Sequence, residues 1–119
     1  MKTENIKFKA KELGTGKWKE GFLQRDMDYN LCILIAKKEE HSWYWTQIDP
    51  STVCMFTGLK DKNGTPIYEG DIVMYKDNNA ERRGDINWDS KAAAFCFGQD
   101  FLVHYHSEDM VVVGNKFDK

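Results

Sequence analysis

The chain has short apolar stretches, one of which alternates with polar residues, and no segment keeps the 3.6-residue spacing of an amphipathic helix. Near the N-terminus, Ile6, Phe8 and Ala10 alternate with three lysines, which predicts a strand with one apolar and one basic face. Residues 31–36 are continuously apolar, which favours a central strand buried on both faces. The same criteria predict strands at 18–23, 43–48, 72–75, 84–88, 92–97 and 111–113. Residues 101–105 fit a strand or a helix, and their valine and tyrosine favour the strand.

Short strands separated by turns at close intervals predict a mainly β protein with little helix, of the sandwich or small-barrel type. A boundary is expected near Asp49-Pro50, which would separate an N-terminal β-rich region, residues 1–50, from a second domain, residues 51–119. Apart from Ala80, residues 76–83 are charged or carry amides, and we expect them to form a loop.

The stretch 57–75, TGLKDKNGTPIYEGDIVMY, holds two turn signals followed by a strand. Asn63-Gly64 tolerates the positive φ angles of a tight turn, so we predict a hairpin loop with Gly64 at positive φ. Pro66 has no backbone donor, which places it at a sheet edge or a strand start. Gly70 predicts the second turn, because glycine adopts backbone conformations that other residues avoid.

This stretch resembles the signature of the YopX family, proteins of bacterial phages and prophages with no established activity. The resemblance is carried by residues 57–64 and 67–73. Residues 6–10 are similar to the family's N-terminal basic strand, and residues 113–115 to its closing Ile-Gly-Asn. The chain departs from the family in having Lys9 where arginine is usual, and in lacking the Asn-Pro-Glu-Leu tail that often follows.

The resemblance implies a C-terminal SH3-like barrel that begins near Thr57, preceded by a smaller β-rich region. It implies no catalytic residues. The signature residues that we expect to be structural are Thr57, Gly58, Leu59, Asp61, Asn63, Gly64, Tyr68, Gly70 and Asp71.

The charge and the cysteines of the chain indicate which classes of protein the sequence fits. The chain has 17 basic and 19 acidic residues, a net charge of −2, which gives no global attraction to nucleic acids or membranes. The polar N-terminus and short aliphatic runs predict neither a signal peptide nor a membrane span. The cysteines are odd in number, widely spaced and flanked by apolar residues, which favours reduced, buried thiols in a cytoplasmic protein. They are Cys32, Cys54 and Cys96.

Few residues suggest a metal site or catalysis. His104, His106 and Glu108 would share one face of a strand, as zinc ligands could, but no paired cysteines supply a further ligand. We favour solvated polar residues beside a core strand, and expect neither a metal nor a cofactor. Apolar neighbours raise the pKa of each cysteine thiol and hide it, and no phosphate-binding or nucleophile motif is present, so we expect no enzymatic activity.

The strongest functional pattern is basic and aromatic. Small barrels bind nucleic acids with lysines on phosphates and aromatic rings against bases. Lysines on an edge strand also prevent aggregation, and the balanced net charge favours this second explanation. The candidate residues are Lys7, Lys9, Lys11, Lys17, Trp18, Lys19, Arg82 and Arg83, of which we expect the two arginines to lie in a loop.

We therefore expect a protein-interaction or assembly module, with a nucleic-acid-binding accessory protein as the alternative. Trp18, Trp43 and Trp45, three of the four tryptophans, precede residue 50. A region of about fifty residues is near the size at which a core alone is marginal, and aromatics are enriched in interfaces. We predict self-association through exposed strand edges or aromatics of this region. The competing possibility is that the tryptophans pack onto the barrel as one continuous core.

Overall fold

A computed structural model describes residues 5–37, 42–77 and 80–118, and these ranges are mainly β, without an α-helix. This confirms the prediction of a mainly β protein with little helix. Short 3-10 helices lie at Pro50–Thr52, Leu102–His104 and Ser107–Asp109. The strands are β1 (Phe8–Lys11), β2 (Trp18–Arg25), β3 (Leu31–Lys37), β4 (Ser42–Gln47), β5 (Cys54–Lys60), β6 (Pro66–Tyr68), β7 (Asp71–Asp77), β8 (Ala80–Asp89), β9 (Ala94–Phe97), β10 (Asp100–Phe101) and β11 (Met110–Asn115).

The chain divides into two compact units, Met1–Met55 and Phe56–Lys119. The division lies within β5, after the boundary that the sequence predicts near Pro50. The domain assignment 1–50 and 51–119 stays a prediction.

The first unit is an antiparallel sheet in the order β4-β3-β2-β1, with the start of β5 beside β1. Its core lies on one face and is formed by Ala10, Ile33 and Ile48, which are almost completely buried. The predicted central strand is β3, which lies between β2 and β4. Cys32 and Ile33 are neighbours in sequence and are both fully buried, so both faces of β3 are covered at its start. The side chains of residues 34–36 lie outside the described part of the chain.

The second unit contains an antiparallel sheet in the order β10-β9-β8-β7-β11, and the end of β5 pairs with β6. Its core is apolar and includes an edge-to-face contact between Tyr75 and Phe97, whose ring centroids are 6.2 Å apart. The described strands form open sheets that do not close into a barrel. The SH3-like detail of the fold therefore stays a prediction.

The loop predicted at 76–83 is wrong where the structure describes it. β7 continues to Asp77 and β8 begins at Ala80, and residues 78 and 79 lie outside the described residues. Arg82 and Arg83 therefore lie on a strand, paired with Tyr75 and Met74. Charged residues are tolerated there because the pairing uses only the backbone, and both arginine side chains are exposed.

The strand predicted at 101–105 is also wrong beyond its first residue. Only Phe101 belongs to a strand, and Leu102–His104 forms a 3-10 helix in which Tyr105 N donates to Leu102 O at 3.0 Å. Leu102 is buried while Val103 is exposed, so this turn anchors a single side chain in the core. Valine and tyrosine favour strands only where a pleated surface is available to pack against.

The two turns of the signature stretch are present. Gly64 has φ +81° and Gly70 has φ +87°, which confirms both glycine predictions. Asn63 keeps a negative φ, because the loop is longer than a two-residue turn and closes where Asp61 N donates to Thr65 O at 2.8 Å. Pro66 begins β6 at the edge of its sheet, as expected of a residue without a backbone donor.

Candidate interaction surface

Asp61, in the signature stretch, joins two parts of the second unit. Its carboxylate is buried and accepts three backbone N–H groups, from Asn63, Thr65 and Val112, each at 2.9 Å. The first two bonds close the β5–β6 loop, and the third reaches β11. A single aspartate thereby fixes the loop against a strand that is distant in the sequence.

Asp71 has a similar role at the start of β7. Its carboxylate is completely buried, and it accepts Tyr68 N at 2.8 Å and Asn115 Nδ2 at 2.9 Å. Gly70 beside it donates to Ile86 O at 2.6 Å and accepts Lys116 N at 2.8 Å. These bonds hold the turn before β7 against β8 and the end of β11.

Other signature residues shape the end of β5. Gly58 has φ +88°, and the β5–β6 register shifts between Phe56 and Lys60, so the strand bulges at this glycine. The Thr57 hydroxyl donates to Ile67 O at 2.8 Å and accepts Leu59 N at 3.1 Å, which pins the bulge to β6. The signature stretch is therefore occupied with contacts inside its own unit.

Exposed aromatic side chains lie on the first unit's sheet, opposite its core. Phe22 on β2 and Trp45 on β4 both pair with Leu34 of β3, so the two aromatic residues share a face. Their exposed fractions are 44% and 53%. Trp18 shares this face by the alternation of β2 and is half-buried. We call this surface, formed by Trp18, Phe22 and Trp45, the outer aromatic face.

The loop 26–30 extends this surface. The Asp26 carboxylate accepts the backbone N–H groups of Asp28 and Asn30, both at 2.9 Å, and the Gln47 amide at 3.1 Å. These bonds, with the backbone N–H of Asn30 first among them, hold the pKa of Asp26 below its usual value. Met27, at the tip of the loop, is 98% exposed and lines a cleft of about 380 Å³ with Trp45.

Three basic candidates of the first unit, Lys7, Lys9 and Lys11, lie at one end of the outer aromatic face. Lys9 Nζ and Lys11 Nζ lie 4.8 and 5.5 Å from the centroid of the Trp18 ring, which are cation–π distances. Lys7 Nζ forms an ion pair with Glu20 Oε1 at 3.4 Å. Lys7, Lys9, Lys11 and Trp18 therefore lie on one face of the sheet. The sequence predicted this shared face for the three lysines.

Lys17 and Lys19 do not join this cluster. Lys19 is paired with Ala10, so it lies on the core face of the sheet, and Lys17 precedes β2. Both lie near enough to Glu12 to lower the pKa of its carboxyl, although hydrogen bonds from the Thr46 and Thr15 hydroxyls have the larger effect.

Arg82 takes part in a polar network of the second unit. Its guanidinium donates to Tyr105 Oη at 2.8 Å and lies 3.5 Å from Asp100 Oδ2, and Tyr105 Oη donates to the same oxygen at 2.6 Å. The tyrosine bond lowers the pKa of Asp100 and raises the pKa of Tyr105. Arg83 lies beside Arg82 in a shallow cleft of about 260 Å³.

The metal-site candidates are not arranged as the strand pattern required. His104 ends one 3-10 helix and Glu108 lies in the next, so period-2 spacing does not relate them. His106 Nδ1 and Glu108 Oε1 are 3.9 Å apart and both side chains are largely exposed. Within the described ranges, no group of three or more His, Cys, Asp or Glu side chains is placed to hold a metal ion.

All three cysteines are buried and free, as predicted. Burial is the main cause that raises the pKa of the Cys32 and Cys96 thiols. The thiols therefore remain protonated at neutral pH and are poor nucleophiles.

The second unit also has an open apolar cleft of about 440 Å³. Among the side chains that line it are Leu59, Phe95, Phe101 and Val103, with His106 and Glu108 also in its lining.

The sequence predicted only some of the residues of the outer aromatic face and its margin. The sequence pattern singled out Trp18 and Trp45 but not Phe22 or Met27. The available signal for Met27 was an apolar residue between two aspartates in a polar turn. For Phe22, the signal was its position on the same strand face as Trp18. The side chain of Trp43, which the self-association prediction also used, lies outside the described part of the chain.

Comparison with known proteins gives a match to one family model. The family model described as YopX protein matches residues 7–119, nearly the whole chain. No curated protein and no solved structure matches. No helix in the described ranges is long and apolar enough to cross a membrane.

Proposed function

Since this chain belongs to the YopX family, whose function is unknown, we propose that it is a non-enzymatic assembly module that binds further copies of itself. The proposed contact is the outer aromatic face of the first unit. We place this role in the cytoplasm of a phage-carrying bacterium, which accords with three buried, free thiols.

The observation that carries this proposal is the alignment of Phe22 and Trp45 across three strands, on the face opposite the core. Large aromatic side chains contribute much of the energy of interfaces when they are buried by a partner. Both rings are about half exposed, so each has area to bury. Met27 adds a flexible apolar side chain at the margin of the same surface, as is common in binding surfaces.

The proposal is tested with single substitutions and analytical ultracentrifugation. Phe22→Ser and Trp45→Ser are each expected to raise the dissociation constant of the oligomer by roughly tenfold or more, because interface aromatics are frequent hot spots. Circular dichroism should show that both variants remain folded, since the substituted side chains lie outside the core.

Phe101→Ser is the matched control, because Phe101 is 39% exposed but belongs to the second unit. It is expected to leave the dissociation constant unchanged. Loss of the oligomer in the Phe101 variant, with no effect in the other two, would place the contact elsewhere and contradict the proposal.

Nucleic-acid binding is the second candidate, favoured by the position of Lys9 and Lys11 beside Trp18. Three observations weaken it. Lys7 is paired with Glu20, the Trp18 ring is half-buried, and Arg82 bonds to Asp100 and Tyr105. Binding through phosphates would fall steeply as salt rises, so retardation of oligonucleotides at low salt, absent from a Lys9→Gln/Lys11→Gln variant, would favour this candidate.

We also propose that the second unit is an open relative of the SH3-like barrel that the family resemblance implies. Its support is the succession of short antiparallel neighbours from β7 to β10.

A further inference from the structure

The described sheet edges differ in how they are protected from pairing with another chain. The β6 edge begins with Pro66, and the β10 edge is only two residues long. Two groups of β11 are bonded outside β7, since Met110 O accepts Lys62 N and Val112 N donates to Asp61, both at 2.9 Å. β4 forms the other end of its sheet, and its six residues, SWYWTQ, include no charge, proline or glycine. Glu12 forms an isolated bridge with Ile48 and covers the edge just after β4, but among the described residues positions 42–46 lack the usual devices that block edge pairing.

The hydrogen-bond pattern shows which backbone groups of β4 point away from β3. Ile48 N donates to Leu31 O at 3.2 Å, in the register that pairs Cys32 with Gln47. Directly opposite pairs alternate between bonded and non-bonded in an antiparallel ladder. Positions 42, 44 and 46 therefore bond to β3, and positions 43, 45 and 47 direct their N–H and C=O groups outward. Gln47 agrees with this assignment, because its carbonyl accepts Leu13 N at 3.0 Å.

We propose that two copies of the chain pair antiparallel along β4, about a two-fold axis at Tyr44. This inference rests on the proposed self-association and gives it a geometry. Opposite residues in an antiparallel pair share a face, so a symmetric pairing joins positions of the same parity. An axis at Tyr44 sets position 43 of each copy opposite position 45 of the other, and the outward N–H and C=O groups of both positions become bonded.

An axis one residue further along is disfavoured. Centred on Trp45, the pairing would set position 43 opposite Gln47, whose carbonyl already accepts Leu13 N. The Tyr44 axis pairs positions 42–46 of β4 and leaves Gln47 outside the pairing. It also places two uncharged edges together and makes the outer aromatic faces of the two copies continuous, since Trp45 lies next to the shared edge.

A charge exchange at the axis tests this geometry. Two copies of Tyr44→Lys would place like charges directly opposite each other and remove a cross-strand aromatic pair, and Tyr44→Glu would do the same. Each variant alone is expected to raise the dimer dissociation constant about tenfold. An equimolar mixture of the two is expected to recover the dimer as a mixed species, because the introduced lysine then faces the introduced glutamate. Phe101→Lys, at a similarly exposed aromatic residue of the second unit, is the matched control and should leave the dimer intact.

The outcomes separate this geometry from self-association in general. If Tyr44→Lys leaves the dimer intact while Phe22→Ser dissociates it, the edge pairing is overturned and the proposed function stands. A monomeric unmodified protein overturns both. If the Tyr44 variants do not fold, hydrogen exchange on the unmodified protein decides. Slower exchange of the amides at positions 43 and 45 with rising concentration supports the pairing, and exchange independent of concentration overturns it.

Discussion

Asp71→Ala is expected to lower the free energy of unfolding by about 3 kcal/mol, because it leaves buried donors without their acceptor. The carboxylate is completely buried and accepts Tyr68 N and Asn115 Nδ2. A loss of this size corresponds to a fall in Tm of roughly 10 °C for a chain of this length. Urea unfolding, followed by fluorescence or circular dichroism, measures the change.

The Asn115→Ala variant tests whether this loss arises from the buried pair. With the amide removed, Asp71→Ala should cost less than it does in the natural background, since one of the donors it would strand is gone. A change below about 1 kcal/mol in the single variant, or strict additivity in the double variant, would show that the carboxylate does not hold the turn to β11.

Asp61→Ala is expected to have an effect of similar size, again about 3 kcal/mol, because three backbone amides lose one shared acceptor. Two of these amides close the β5–β6 loop, and the third belongs to Val112 on β11. The loop should also loosen locally, so the amides of Asn63 and Thr65 should exchange with solvent faster than those of the neighbouring strands.

Asn63→Ala is the matched control in the same loop. Its exposed side chain is removed while its backbone N–H still donates to Asp61, so the free energy of unfolding should change by less than about 0.5 kcal/mol. Equal losses in the two variants would mean that the loop sequence, rather than the Asp61 carboxylate, stabilises this region.

The sequence predicted what local patterning determines. Alternation located β1, the apolar run located β3, and turn chemistry located Gly64 and Gly70, because each of these features depends on neighbouring residues. The burial of the three cysteines followed in the same way from their apolar flanks.

Other features depended on contacts between residues far apart in sequence. Nothing local indicates that Asp61 would reach Val112, so its central position in the second unit required the fold. The polar composition of 76–83 suggested a loop, but cross-strand pairing with β7 outweighed the weak local preference.

The candidate surface also depends on pairing between residues that are far apart in sequence. The two exposed aromatics are brought onto one face only by the register of β2 and β4 against β3. Likewise, spacing suggested a shared face for His104 and Glu108, but the 3-10 helices that follow Phe101 replace the strand on which that spacing relied.

The central claim, that the first unit carries a self-association surface, is tested most directly by sedimentation velocity of the unmodified protein over a wide dilution series. The exposed aromatics of the outer face predict a dimer at micromolar concentration that dissociates as the protein is diluted. A single monomeric species at every accessible concentration would contradict the claim.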